Sequence, residues 1–266
     1  MFNRNFKGGF VIAAAVFVLS SAARNAEATI VEFQTSLGSF QVNLFDNDTP
    51  LTVTNFLDYV NNGAYSNAII HRSVVGFIIQ GGWLASDANS AIVDIPANAA
   101  VNNEPEFSNL RGTVAMAKVG GDPNSATNQW FFNLGNNSAN LDQQNDGFTT
   151  FGQVIDNGMD VVDAIGALPV YNFGGALTEM PLREYSQTDF DNQVAPDDSN
   201  FVVINAVVVT DTTVDSAAGL NPTPNTLINS GGNGGNAGNG GGGGGGGLGL
   251  LTLLALLPAV RRLVAD

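Results

Sequence analysis

A chain of 266 residues with 44% hydrophobic side chains can bury one sizeable core and still leave chain outside it. Its formal net charge of −15, from 9 Lys and Arg against 24 Asp and Glu, excludes a nucleic-acid-binding surface, which needs cationic groups to neutralise phosphates. The absence of cysteine removes disulfides, thiolate catalysis and Cys-built zinc sites, and a single histidine leaves too few imidazoles for a His-built centre, so no metal and no cofactor are expected.

Residues 1–28 read as a secretory signal. Arg4 and Lys7 supply the positive start, Gly9 to Leu19 form a short apolar run, and Ala26-Glu27-Ala28 is an A-x-A cleavage site, so the mature chain is expected to begin at Thr29. The apolar run is far below the ~20 residues of a spanning helix. Export to the periplasm, cell surface or extracellular space of a bacterium is the expectation.

From Thr29 to Asp211 the pattern is mostly strand. Val31 and Phe33 alternate with polar neighbours, and Phe40, Val42 and Leu44 do so after a turn at Leu37-Gly38. Further runs at 68–72, 76–80, 112–117, 129–134, 151–155 and 201–209 bring the count to about eight strands, enough to close a small barrel. Two helices interrupt them. In the first, Thr49 is the expected N-cap, Pro50 opens the helix, Val53, Phe56, Leu57 and Val60 form one stripe, and Gly63 closes it. The second starts near Asn157, carries Asp160 in its first turn and is expected to end at Gly166. Few helices among many strands predict a mainly β fold, a closed eight-stranded antiparallel barrel capped by two α-helices.

Residues 212–247 become Thr-, Asn- and Gly-rich, a composition that cannot bury enough surface to fold, so a disordered linker is expected there. Leu248 to Val260, broken by Pro258 and followed by Arg261-Arg262, is too short to span a membrane comfortably. A spacer, a short apolar segment and a basic stop, together 248–266, read as a C-terminal sorting signal with transient membrane contact; it resembles the Gly-Gly sorting tails of some Gram-negative bacteria.

The stretch that carries chemistry is Ile70-His71-Arg72-Ser73-Val74-Val75-Gly76-Phe77-Ile78-Ile79-Gln80-Gly81-Gly82. Alternation sends Phe77 and Ile79 to one side and Ile78 and Gln80 to the other unless a bulge intervenes, so periodicity does not group Phe77 with Gln80. What the residues do show is an arginine within an apolar strand pair of an arginine-poor protein. It either bridges to a local carboxylate or is kept for planar recognition of oxygen acceptors. His71 reads as a structural, neutral histidine, with catalysis the weaker alternative. Asp142-Gln143-Gln144-Asn145-Asp146-Gly147 resembles the opening of a calcium loop, but its twelfth position is Gln153 rather than Glu, and a turn is expected.

The same stretch resembles the cyclophilin signature F-H-R-V-x-x-G-F-x-x-Q-G-G, with Ile70 and Ser73 as departures. Arg111-Gly112-Thr113-Val114-Ala115-Met116-Ala117, the run Pro123 to Phe132, Phe151-Gly152-Gln153-Val154 and Gly158-Met159-Asp160-Val161-Val162 resemble further family motifs in order. The resemblance implies a peptidyl-prolyl cis/trans isomerase that assists folding of exported proteins. The alternative is a proline-peptide-binding chaperone module with little turnover. The resemblance also implies Arg72, Phe77 and Gln80 as catalytic residues, and Ile78, Ala117, Lys118, Gln129, Phe131, Leu141 and Phe148 as substrate-binding residues. Phe132 and Phe151 are expected in the core. The implied partners are X-Pro segments of unfolded or exported proteins, and a monomer is expected. Asn140 stands where the family has an aromatic rim residue, so cyclosporin is expected to bind only weakly.

Overall fold

The computed structural model describes residues 29–212 and 220–228. The expected signal segment, the sorting segment and most of the 212–247 spacer lie outside the described residues. Among the described residues no helix is long and apolar enough to cross a membrane.

The strands follow the apolar runs. β1 (Ile30–Thr35) and β2 (Gly38–Leu44) form a hairpin through the Leu37-Gly38 turn, where Gly38 has φ +126°. α1 (Pro50–Asn61) follows, then β3 (Ala68–Ile69), β4 (Arg72–Val74), β5 (Ile78–Gly81), β6 (Leu84–Ser86), β7 (Ile92–Asp94), β8 (Thr113–Met116) and β9 (Trp130–Asn133). After α2 (Ser138–Leu141) come β10 (Thr150–Val154), α3 (Gly158–Gly166), β11 (Val170–Tyr171), β12 (Met180–Pro181), α4 (Gln187–Asp191) and β13 (Val203–Asp211).

Eleven of these strands make one sheet in the order β4-β5-β9-β8-β10-β2-β1-β13-β3-β6-β7, and β11 pairs only with β12. This corrects the expected closed eight-stranded barrel: the sheet is a curled half-barrel, with no ladder between its edge strands β4 and β7. The added strands have plain causes. The run at 68–72 is split, its first part pairing with β13 and its second with β5, so that Ile70-His71 carries the chain from one end of the sheet to the other. β6 and β7 add a hairpin beyond β3 that is too short to show a period. Two short helices, α2 and α4, join the two that were expected.

The concave side holds the main core. Phe33, Phe40, Trp130 and Phe132 pack against one another, mostly edge to face, with centroids 5.0–5.4 Å apart, and Phe56 of α1 extends the cluster to Tyr65. Aromatic pairs at such spacings add about 0.5–1.5 kcal/mol each beyond their burial. Phe132 and Phe151 belong to this core, as expected.

Helix ends show where local rules hold and where they yield. Gly63, at φ +67°, closes α1: its N–H donates to the Val60 carbonyl and the Ala64 N–H to the Tyr59 carbonyl. At the other end Thr49 does not cap with its side chain; its hydroxyl donates to the Phe45 carbonyl. The first-turn amides of Leu51 and Thr52 donate instead to the Glu104 carboxylate, at 3.1 and 2.9 Å. α3 ends at Gly166, as expected, with Ala167 as its C-cap in the right-handed region. A Cβ on Gly166 would lie 2.7 Å from the Leu134 side chain.

Candidate active site

One row of paired residues crosses the outer face of the sheet. Arg72 on β4 lies opposite Gln80 on β5, Gln80 opposite Phe131 on β9, and Phe131 opposite Ala115 on β8. Cross-strand partners share a face, so the pleat delivers the guanidinium, the amide and the aromatic ring to one side without any local sequence signal. Their neighbours one position along, Ile79, Phe132 and Val114, face the core.

Phe77 joins this face by another route. It is the last residue of a turn whose N–H donates to the Val74 carbonyl, with Gly76 at φ +69°, and the strand begins only at Ile78. Phe77 is therefore not bound by the alternation that separates it from Gln80. Its carbonyl accepts from the Leu134 N–H at 2.8 Å and from the Asn137 side chain at 2.8 Å, which fixes the turn.

A compact apolar cluster, separate from the main core, lies beside the row. Ile78, Ala115, Ala117, Phe131, Leu141 and Phe148 are buried in it, with Val74 and Phe77 packed against them at its open side. Phe131 and Phe148 meet edge to face with centroids 5.8 Å apart. Leu141 ends α2 and Phe148 follows the 142–147 turn; the Phe148 N–H donates to the Leu141 carbonyl at 2.9 Å, so this pair forms one wall. The calcium-loop resemblance at Asp142 resolves as this turn.

The polar side is held as follows. Arg72 Nε donates to Glu179 Oε2 at 2.8 Å, while Nη1 reaches Gln80 Oε1 only at 3.5 Å, the long limit of a hydrogen bond. Glu179 is 107 positions away in the chain and sits next to β12, tied to β4 by the Ser73 N–H on its own carbonyl. The tight partner of Arg72 is thus Glu179, a residue that the sequence reading did not single out. Gln80 Nε2 donates to Gln129 Oε1 at 2.9 Å, so these two amides orient each other. Asn140, beside Leu141, is exposed.

Lys118 follows Ala117 of this cluster. Its backbone follows on from β8, and its side chain is buried, with Nζ donating to the Asn145 and Gly147 carbonyls at 2.8 and 2.5 Å and lying 4.8 Å over the Phe148 ring. Burial lowers its pKa to about 8, against the opposing pull of Asp146 and Asp122. The ammonium braces the 142–147 turn from within. His71 is buried and stands edge-on to Trp83 at 5.4 Å; burial, with Arg72 beside it, lowers its pKa to about 3, so it is neutral as expected.

The ten residues that the signature implied therefore lie on or beside one face: Arg72, Gln80 and Gln129 form the polar side, and Phe77, Ile78, Ala117, Phe131, Leu141 and Phe148 the apolar side, with Lys118 behind it. Glu179, Asn109 and Asn137 were missed because each is a lone polar residue whose importance comes from a distant partner. A separate recess of about 700 Å³ lies among Phe173, Leu177, Met180, Tyr185, Phe190 and Phe201, and none of the ten lines it. Among the described residues no cluster of His, Asp and Glu could hold a metal ion.

Comparison with known proteins places the chain among relatives of one family. The family described as cyclophilin type peptidyl-prolyl cis-trans isomerase/CLD matches residues 30–186, more than half of the chain. The chain is 38% identical over 171 residues to peptidyl-prolyl cis-trans isomerase A of Dickeya dadantii, covering 62% of this chain and 87% of that protein. It is 40% identical over 140 residues to peptidyl-prolyl cis-trans isomerase B of Escherichia coli, covering 51% and 83%. The fold is similar to a crystal structure of a Cryptosporidium parvum cyclophilin type isomerase, with TM-score 0.51 and 23% identity over 70% of this chain and 99% of that one. That protein has also been crystallised in the presence of the dipeptide Ala-Pro. On the match of the family over residues 30–186 and the identity to these relatives, the chain belongs to the cyclophilin family and is a peptidyl-prolyl cis/trans isomerase.

Proposed function

We propose that this isomerase acts on X-Pro bonds of exported proteins and that Arg72 stabilises the twisted amide. The observation that carries the mechanism is the pairing of one anchored guanidinium with one apolar pocket on the same face. Rotation about an X–Pro bond is opposed by amide resonance, with a barrier of about 18–20 kcal/mol, and unaided it takes tens to hundreds of seconds. The proline ring enters the pocket of Phe77, Ile78, Phe131, Leu141 and Phe148, and the substrate backbone runs along Ala117-Lys118. With Nε held by Glu179, the donors of Nη1 and Nη2 serve the prolyl carbonyl and the nitrogen whose lone pair localises as the bond twists. Such donors stabilise the twisted form more than either planar form, which is what lowers a barrier. No covalent intermediate and no titrating acid or base is needed.

Isomerisation of an Ala-Pro peptide by the wild-type chain and by Arg72→Ala tests the mechanism. A fall of about 10²-fold is expected for loss of one preorganised donor group; full activity in the variant would overturn the electrostatic role. The exported setting rests on Arg4, Lys7, the apolar run to Leu19, Ala26-Glu27-Ala28 and the Gly-rich C-terminal segment. Intact mass of protein from the native host is expected to show a chain that starts at Thr29 and lacks Leu248 to Asp266. A chain that keeps those ends would overturn the setting and leave the chemistry standing.

A further inference from the structure

Residues 223–228 fall within the stretch expected to be a disordered linker, and the structure corrects that expectation here, because the sheet domain holds them. The Ser108 N–H donates to the Thr223 carbonyl and the Asn225 N–H to the Glu106 carbonyl, both at 2.8 Å, around an antiparallel bridge between Phe107 and Pro224. The buried Asn225 side chain then does two things. Its Oδ1 accepts the Leu227 and Ile228 amides at 3.0 and 3.1 Å, turning the chain. Its Nδ2 donates to the Asp142 carbonyl at 2.9 Å, the first peptide of the turn between Leu141 and Phe148. Ile228 lies over the other end of that turn, where a Cβ on Gly147 would come within 3.0 Å of its Cδ1.

The turn is already held from inside by Lys118 on the Asn145 and Gly147 carbonyls, and by Asn109 on the Asp142 carboxylate and the Phe148 carbonyl. Residues 223–228 hold it from outside. We propose that they form a strap that sets the Leu141–Phe148 wall of the proline pocket, with Asn225 as its positioning residue. The strap lies beyond the family-matched residues 30–186. A looser wall weakens the contacts of the proline ring alike in the planar and twisted forms, which raises KM and leaves kcat nearly unchanged.

The inference rests on the placement of the proline pocket at Leu141 and Phe148, and the test separates the two. In the full chain, Asn225→Asp keeps the acceptor for the Leu227 and Ile228 amides but replaces the donor to Asp142 with a carboxylate facing a carbonyl; Asn225→Ala removes both. Each variant is expected to raise KM for an Ala-Pro peptide about three- to tenfold, the worth of one hydrogen bond, with kcat within about twofold. Amide hydrogen exchange at Gly147 and Phe148 is expected to quicken while the Ile79 and Phe132 amides stay protected. Unchanged KM in both variants, or unchanged exchange in the 142–148 segment, overturns the strap. If the wild-type chain shows no turnover, the pocket reading fails, and exchange at Gly147 and Phe148 still decides the strap.

Discussion

Arg72 keeps 12% of its side chain exposed and its partner Glu179 33%, so the ion pair lies at a partly wet surface where Coulomb attraction alone contributes little. Its effect is orientation: one nitrogen of a planar group is held at 2.8 Å, and the plane of the others follows. Glu179→Ala is expected to lower kcat/KM about tenfold through loss of that anchor, while Glu179→Gln, which keeps an acceptor, should stay within about threefold of wild type. Arg72→Lys should recover little of the loss in Arg72→Ala, since an ammonium keeps charge without the fork. With His71 held neutral down to about pH 3, kcat/KM should be flat from pH 5 to 7; an inflection near 6.5 that disappears in His71→Gln would move the proton chemistry to His71. The cyclophilin resemblance puts an aromatic where this chain has the exposed Asn140, so Asn140→Trp should tighten cyclosporin binding by about tenfold or more, the worth of a ring that buries about 1–3 kcal/mol of contact, as read by titration of both proteins. The motif made Arg72 legible, but its charged partner arrives through a strand pair 107 positions downstream, which no local pattern announces.

At the scale of elements, the two glycines after Gln80 matter for space. A Cβ on Gly82, at φ +86°, would sit 2.3 Å from the Asn128 carbonyl oxygen, and one on Gly81 would sit 2.8 Å from the Trp130 ring. Backbone cannot give way as a side chain can, so Gly82→Ala is expected to leave little folded protein at 37 °C, by circular dichroism. Gly76 gives the contrast. Its φ is +69°, but nothing lies within 4 Å of a Cβ there, so Gly76→Ala should cost only about 1 kcal/mol, or roughly 2–4 °C in melting temperature. Sequence patterns found α1, α3 and the β1–β2 hairpin because each is amphipathic and closed locally. They missed β6, β7, β11 and β12, which have two or three residues each and exist only because a neighbour offers free backbone groups.

The whole molecule adds a stability profile with a definite sign. The unfolded chain protonates His71 near pH 6.5, whereas the folded chain resists until about pH 3, so stability is lost as pH falls through that interval. Lys118 acts in the same sense at the other end. Folded, it releases its proton near pH 8 and unfolded near 10.5, so between those values the unfolded chain binds more protons and stability rises with pH. Thermal midpoints between pH 7 and 4 should therefore fall further in wild type than in His71→Gln. Parallel curves for the two proteins would show that His71 is not the buried neutral group.

What the sequence by itself determined is everything that repeats or lies close along the chain: a mainly β fold from period-two runs, helices from apolar stripes, and a site stretch from ordered motifs at 70–82, 111–117 and 123–132. Tertiary structure alone decided the rest. It opened the expected barrel into a curled sheet by splitting one strand at Ile70-His71, turned the Lys118 ammonium inward onto the Asn145 and Gly147 carbonyls, and brought Glu179 to Arg72 and Asn225 to Asp142. The physical reason is common to all four. A hydrophobic period is written in neighbouring residues, whereas a buried donor takes whichever acceptor the folded chain brings within about 3 Å, and that choice exists only after packing.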